Sequence, residues 1–284
     1  MDLCFVGGGN MASALIGGLI DGGASIRHIH VIEPHDAARD ILKKKFSKEA
    51  GKRGIQFTVD SADAPNSLIA NTDSVWVVLA VKPQQMREAC EKAPANLRSL
   101  LSRASLLSVA AGISIDAIGS WCGNAQVVRA MPNTPALVRQ GITGLFANEP
   151  VSEEKRQEAD RLMQAVGQTV WVDDESLMDA VTALSGSGPA YVFLFIEALS
   201  QAGTCLGLNP QQSETLAVET LQGALALLKA SPEGPAQLRE KVTSKGGTTA
   251  AALASLDQAE FMKIVEEALK AARDRGAEMS QEYR

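Results

Sequence analysis

The sequence predicts an α/β N-terminal domain built on a parallel sheet, followed by an all-α C-terminal domain, and three observations predict it. Close to the start, an apolar run, Leu3-Cys4-Phe5-Val6, meets the glycine turn Gly7-Gly8-Gly9 and then a stretch rich in Ala, Ile and Leu. Short apolar runs then alternate with longer charged stretches as far as Trp171, the pattern of repeated βα units. From Asp173 onward no convincing strand is readable, and helical stretches succeed one another. The 284 residues suffice for two domains, here 1–172 and 173–284.

The glycine turn comes first. Gly7, Gly9 and Ala12 fit Gly-x-Gly-x-x-Gly/Ala, with one glycine for the turn, one for close approach of a pyrophosphate, and a small residue where helix packs on strand. Asn10 and Met11 open the helix that runs on to Ile20, so its unpaired N–H groups and positive dipole end would face the phosphates. Glycines also serve ordinary turns. The position between an apolar strand and a helix is what makes this a Rossmann-like dinucleotide fingerprint.

Asp21-Gly22-Gly23 closes a turn, and a strand from His28 to Ile32 delivers Glu33 to the cofactor end of the sheet. An acidic residue there accepts hydrogen bonds from an adenosine ribose and repels a 2′-phosphate, which argues for NADH. His35, Arg39 and the cluster Lys43-Lys44-Lys45, Lys48, Lys52, Arg53 follow closely and could neutralise a phosphate, so NADPH stays open. Asp36 to Lys48 reads as a charged helix, Gly51 to Gly54 as a loop, and Ile55 to Val59 as a third strand.

Ser74 to Val81 is almost wholly apolar, as a parallel strand buried on both faces should be, and forms the central strand. Its exit, Val81-Lys82-Pro83-Gln84, meets a helix start. Lys82 there is either a cofactor contact or a solvated loop residue. Leu106 to Ala110 and Gln126 to Ala130 are further strands. The second leaves through Met131-Pro132-Asn133-Thr134-Pro135, where two prolines stiffen a polar loop that is either a plain turn or a wall for the nicotinamide ring. Gly141 to Ala147 and Thr169 to Val172 complete the strands, around a helix from Ser152 to Ala165.

Helices are expected over Glu175–Leu184, Pro189–Ala202, Pro210–Lys229, Pro235–Val242, Thr249–Leu256 and Gln258–Met279, several with proline near the first turn. Their apolar faces, such as Val192 to Ile196 and Leu216, Leu221, Ala224, Leu225, Leu228, are more than a small monomeric domain easily covers, so a dimer is expected, with an ordinary helical bundle as the other reading. Two stretches interrupt them. Ser185-Gly186-Ser187-Gly188-Pro189 is a small-residue break, and Val242-Thr243-Ser244-Lys245-Gly246-Gly247-Thr248-Thr249 ends one helix and opens the next. The first is either a capped turn or a place where small residues allow close backbone approach; the second is either a capped turn or a site at which backbone N–H groups take a carboxylate.

The formal net charge of −6 and the scattered basic residues argue against nucleic acid as a partner. The apolar runs look too interrupted to span a membrane, and with no leader ahead of the first strand a cytoplasmic location is expected. Cys4, Cys90, Cys122 and Cys205 are widely spaced and read as buried, reduced thiols, with neither disulfide nor metal site expected.

A dinucleotide domain joined to a helical one suggests hydride transfer, yet acid–base residues are missing where a carbonyl reductase would need them. The three histidines, His28, His30 and His35, all lie beside the second strand. A substrate that brings its own positive charge, such as a protonated imine, needs no strong protein acid. Hydride addition then gives a neutral amine directly, and the protein has only to position it.

Together these motifs resemble the pyrroline-5-carboxylate reductase family over nearly the whole chain: Gly7 to Ala12, Val81 to Gln84, Met131 to Pro135, Ser185 to Tyr191 and Val242 to Thr249. The resemblance implies reduction of L-1-pyrroline-5-carboxylate to L-proline by a nicotinamide cofactor, and a helical domain interleaved with a partner's in a homodimer, with decamers in some members. It implies that Gly246, Gly247 and Thr248 bind the substrate carboxylate, that Thr249 places its hydroxyl near the ring nitrogen as the catalytic residue, and that Ser187 helps form the floor. It also implies that Gly7, Gly9, Asn10, Met11, Glu33, Val81, Lys82, Pro83 and Asn133 hold the cofactor. Lys245, where many members have proline, and Glu33-Pro34 depart from the family pattern. The rivals are a β-hydroxyacid dehydrogenase-like enzyme, which expects a lysine that Pro189 to Ala202 lacks, and a non-catalytic nucleotide sensor.

Overall fold

The computed structural model describes residues 1–22 and 25–282; Gly23 of the expected Asp21-Gly22-Gly23 turn lies outside them. The strands are β1 (Asp2–Val6), β2 (His28–Ile32), β3 (Gln56–Asp60), β4 (Val75–Leu79), β5 (Ser105–Ser108), β6 (Val127–Met131), β7 (Gly141–Ala147) and β8 (Gly167–Trp171). They form one sheet in the order β3-β2-β1-β4-β5-β6-β7-β8, parallel throughout except for the β6–β7 pair. Each predicted strand is present within two residues of its expected ends. β1, β2 and β4 are buried at every position, which is why their sequences run apolar without alternation.

The helices of this part are α1 (Asn10–Asp21), α2 (Asp36–Lys52), α3 (Asn66–Ile69), α4 (Pro83–Glu91), α5 (Ala95–Leu101), α6 (Ile115–Cys122), α7 (Glu153–Gln164) and α8 (Leu177–Val181). They cover the two faces of the sheet and create two apolar cores, one around Leu3, Phe5, Leu15, Ile16, Trp76 and Val128, the other around Cys4, Val77, Leu79, Met86, Leu100 and Ile118. α2 runs through the Gly51-Lys52 segment that the sequence reads as loop. Caps follow local chemistry: Ser114 and Ser152 accept N–H groups at the starts of α6 and α7, and Gly123 ends α6 in the left-handed region.

The remaining helices are α9 (Gly188–Cys205), α10 (Pro210–Ala230), α11 (Pro235–Lys241), α12 (Thr248–Gln258) and α13 (Phe261–Glu282). The chain divides into two compact units, Met1–Ser187 with the residues from Ala272 on, and Gly188–Ala271. The sequence boundary at 172/173 therefore marks the last strand, while the compact boundary falls later. In the second unit α9 and α10 form a hairpin in which Gly203 faces Ser213 and the Thr204 hydroxyl donates to Ser213 Oγ at 3.2 Å. Asn209 and Gln212 close a reciprocal capping box around Pro210.

Three expectations are corrected here. Ser185 to Pro189 does not separate two helices: α8 continues through a π-helical turn, Thr182–Gly186, into α9, giving a continuous helix Leu177–Cys205. By length and composition alone that fused helix is apolar enough to cross a bilayer, contrary to the reading of its two shorter pieces. Cys205 is exposed in the chain, whereas Cys4, Cys90 and Cys122 are buried as expected. Burial, with Asp63 nearby, pushes the Cys4 thiol up to about 12, so it stays protonated and unreactive.

Candidate functional site

At the exit of β1 the chain turns under a positive φ of 99° at Gly7, whose N–H donates to Ile32 O at 2.9 Å. Ala80 N in turn donates to Val6 O at 2.9 Å, drawing the end of β4 so close that a Cβ on Gly7 would lie 2.8 Å from Ala80 O. Only glycine satisfies both constraints. Gly9 differs, for a Cβ there would meet nothing within 4 Å. Its surroundings are open, α1 has no side-chain cap, and no acidic residue lies in its first turn. The N–H groups at Asn10 and Met11 thus form a cradle that a pyrophosphate fits, at the switch between β1 and β4 where a doubly wound sheet binds dinucleotides. Ala12 is fully buried against the sheet, as its place in the fingerprint requires.

Glu33 leaves β2 beside this loop and turns inward, with 8% of its surface exposed. Its Oε2 accepts Gly8 N–H at 3.0 Å, and its Oε1 accepts His35 N–H at 3.0 Å and the His35 ring at 2.7 Å. Burial, the largest single influence, pushes this carboxyl up, but the donors from His35 and Gly8 together outweigh it and hold it below the usual glutamate range. Arg39, a candidate phosphate partner, is turned elsewhere: Nη1 donates to the carbonyls of Glu33 at 2.8 Å and Pro34 at 2.7 Å, and Nη2 pairs with Asp36.

On the other side of the switch, Val81 is half-buried, Lys82 is exposed as the N-cap of α4, and Pro83 is the first residue of that helix. Asn133 is 9% exposed at the exit of β6. Its Oδ1 accepts Ile142 N–H at 3.0 Å and its Nδ2 donates to Ser185 O at 3.1 Å. Pro189 has no N–H to give the carbonyl four residues back, and the Asn133 amide supplies it. In the π turn Ser187 N donates to Thr182 O at 2.9 Å, and the Ser185 hydroxyl donates to Val181 O at 2.9 Å.

The other candidate turn belongs to the second unit. Gly246 has a φ of 73°, Gly247 N donates to Ser244 O at 3.1 Å, and a Cβ on Gly247 would collide with Ser244 Oγ. α12 begins at Thr248 with neither a side-chain cap nor an acidic residue in its first turn, Thr248 exposed and Thr249 half-buried. Lys245 is exposed beside it. Such an end suits a carboxylate.

The comparisons with known proteins agree with this geometry. Over 282 residues the chain is 42% identical to pyrroline-5-carboxylate reductase of Pseudomonas aeruginosa, covering 99% of this chain and 97% of that protein. The chain belongs to the pyrroline-5-carboxylate reductase family. The Pasteurella multocida reductase is 40% identical, over 98% of this chain and 97% of its own. Residues 2–112 match the family described as NADP oxidoreductase coenzyme F420-dependent, and residues 175–279 match pyrroline-5-carboxylate reductase dimerisation. A solved pyrroline-5-carboxylate reductase from Coxiella burnetii superposes with a TM-score of 0.84 at 38% identity, covering 98% of both chains. The Plasmodium falciparum pyrroline carboxylate reductase, solved with NADP bound, gives 0.77 at 29% identity over 99% of this chain and 98% of that one.

Within this reductase, the sequence located the glycine cradle and Glu33 but missed the bonds from Gly8 and His35 that fix the carboxylate. It also missed the link from Asn133 to Ser185. A proline inside an apolar helical stretch signals that the carbonyl four residues earlier needs another donor; which distant side chain provides it is not written locally.

Proposed function

We propose that this chain reduces L-1-pyrroline-5-carboxylate to L-proline by hydride transfer from a nicotinamide dinucleotide, the last step of proline biosynthesis. The observation that carries this reading is a pair of uncapped, acid-free helix starts, one in each unit, with no histidine in either turn. The bound dinucleotide supplies the hydride. Gly7, Gly9, Asn10 and Met11 hold its pyrophosphate, Glu33 orders the loop, Val81, Lys82 and Pro83 border it, and Asn133 fixes the loop beside the nicotinamide. Gly246 shapes the turn that offers the N–H groups of Gly247 and Thr248 to the substrate carboxylate. Thr249 places its hydroxyl at the ring nitrogen as the catalytic residue, and Ser187 contributes to the floor. Because the imine arrives protonated, hydride addition leaves a neutral amine and no protein acid has to donate.

NADPH is the proposed donor, with NADH as the alternative, supported by the NADP description of the matched family and the NADP-bound relative. Dimerisation through the helical unit, and assembly of dimers into decamers, are proposed on the matched dimerisation family and on exposed apolar side chains such as Phe193 and Leu194, 66% and 65% exposed in the single chain. A cytoplasmic site of action goes with this reading.

The test follows absorbance loss of NADPH and, separately, NADH on adding pyrroline-5-carboxylate, with Thr249→Ala alongside. Turnover that falls about a hundredfold in the variant is expected. Dinucleotide binding without turnover by the wild-type chain would overturn the reductase reading in favour of a nucleotide sensor.

A further inference from the structure

The cofactor end of the sheet carries one group whose chemistry is set by its neighbours. The His35 side chain is 77% exposed, yet its Nδ1 lies 2.7 Å from Glu33 Oε1. An ionised carboxylate only accepts, so Nδ1 must carry a proton in either charge state of the ring. Neutral His35 therefore presents Nε2 as a bare acceptor, and protonated His35 presents Nε2–H as a charged donor. Nε2 has no protein partner among the described residues. It stands just past the C-terminal end of β2, where a dinucleotide's adenosine ribose is bound in this type of sheet.

The charges around it make the state of the ring matter. Glu33 faces it directly, Asp36 and Arg39 pair with each other on the first turns of α2, and Asp60 ends β3, joined to Glu33 by a backbone bond of 2.9 Å. Asp36 and Arg39 offset each other and the Asp60 side chain accepts Ser61 N–H, which leaves Glu33 as the charge in contact with the ring. Arg39 offers no relief, since its guanidinium is already bound to Glu33 O, Pro34 O and Asp36. The lysines from Lys43 onward lie about 10 Å further along α2 at about 1.5 Å per residue.

We propose that His35, with its tautomer fixed by Glu33, is the residue that discriminates the 2′ position of the cofactor's adenosine ribose: neutral, its Nε2 accepts the 2′-hydroxyl of NAD(H); protonated, the same atom donates to the 2′-phosphate of NADP(H). Glu33 is then a positioning residue that acts through His35. The inference rests on the dinucleotide reading above and adds to it the residue that sets the preference. A 2′-phosphate selects the ring that carries a proton on Nε2 as well as on Nδ1, because only that form donates from Nε2.

Calorimetry of the full chain with NADP⁺ and with NAD⁺ tests this without turnover. At about pH 7.5 the 2′-phosphate, whose second pKa is about 6, is already dianionic, so proton uptake on binding reports the protein. Titrations in two buffers of different ionisation enthalpy are expected to show uptake with NADP⁺ and none with NAD⁺. His35→Ala, at a side chain 77% exposed, is expected to abolish the uptake and lower the NADP⁺/NAD⁺ affinity ratio about tenfold, the size of one charge-assisted hydrogen bond. His35→Lys, with a permanent charge, is expected to keep the NADP⁺ preference without proton uptake. Equal uptake in wild type and His35→Ala, or an unchanged affinity ratio in the variant, overturns the proposal while leaving the reductase reading intact. Failure of the wild-type chain to bind either dinucleotide overturns both.

Discussion

Thr58 carries one hydroxyl between two histidine rings, 2.8 Å from His30 Nδ1 and 2.7 Å from His28 Nε2. The other His30 nitrogen, Nε2, lies 3.2 Å from the Asp63 carbonyl, which can only accept. That fixes the protons: His30 donates from Nε2, Thr58 donates to His30 Nδ1, and His28 Nε2 donates to Thr58. Burial is the main influence on both rings and pushes them below the ordinary histidine range. A lowered folded value means that the unfolded chain binds more protons as pH drops past the ordinary value of about 6.5. The stabilisation is therefore complete above that value and is lost as pH falls through it. Thermal melts between about pH 8 and about pH 5 should show the midpoint falling on the acid side. Thr58→Val, which leaves both rings without their shared partner, should cost roughly 1–3 kcal/mol at neutral pH by denaturant unfolding. A midpoint that does not move with pH would contradict this proton assignment.

At the scale of elements, the helix Leu177–Cys205 survives a proline because a side chain from the β6 exit replaces the missing donor. Asn133 connects two pieces of chain at once, Ile142 N–H on β7 and Ser185 O in the π turn. Asn133→Leu should destabilise the first unit by roughly 1–3 kcal/mol, because a half-buried donor and acceptor both lose their partner. Adding Pro189→Ala should recover part of that loss, since the restored N–H lies in register with Ser185 O. Denaturant titrations of the two single variants and the double variant measure the coupling, and strictly additive losses would argue against the link. Arg129 ties the same helix and its approach to β6: its 5%-exposed side chain lies 3.8 Å from Asp179 on the helix and 3.1 Å from Glu175 just before it, which also accepts Ile115 N–H at 2.8 Å.

At the scale of the whole molecule, the two units bury very different amounts of themselves. Both apolar cores lie in the first unit, while among the described residues 188–271 only Ser213 and Ala217 are buried. Helices with so little covered do not readily offset their conformational entropy in isolation, which supports the proposed dimer. On that proposal Phe193→Glu should convert a dimer to a monomer in sedimentation, and the wild-type melting midpoint should rise with protein concentration. A concentration-independent midpoint together with an unchanged sedimentation coefficient would remove dimerisation through this face.

The sequence by itself determined the eight strands, the glycine turn after the first of them, the helical character of the chain after Asp173 and the family. These follow from local signals: apolar periodicity, glycines with a steric duty, and prolines at helix starts. Glu33 and Asn133 were likewise legible as polar residues placed at strand exits. What they do was not, because it depends on partners far along the chain or aimed by a turn. Gly8 and His35 fix the Glu33 carboxylate, and Ser185 and Ile142 hold the Asn133 amide. The fusion of two expected helices was decided the same way, by a donor more than fifty residues upstream. Hydrogen bonds at such separations are made by packing, and packing exists only in the folded chain.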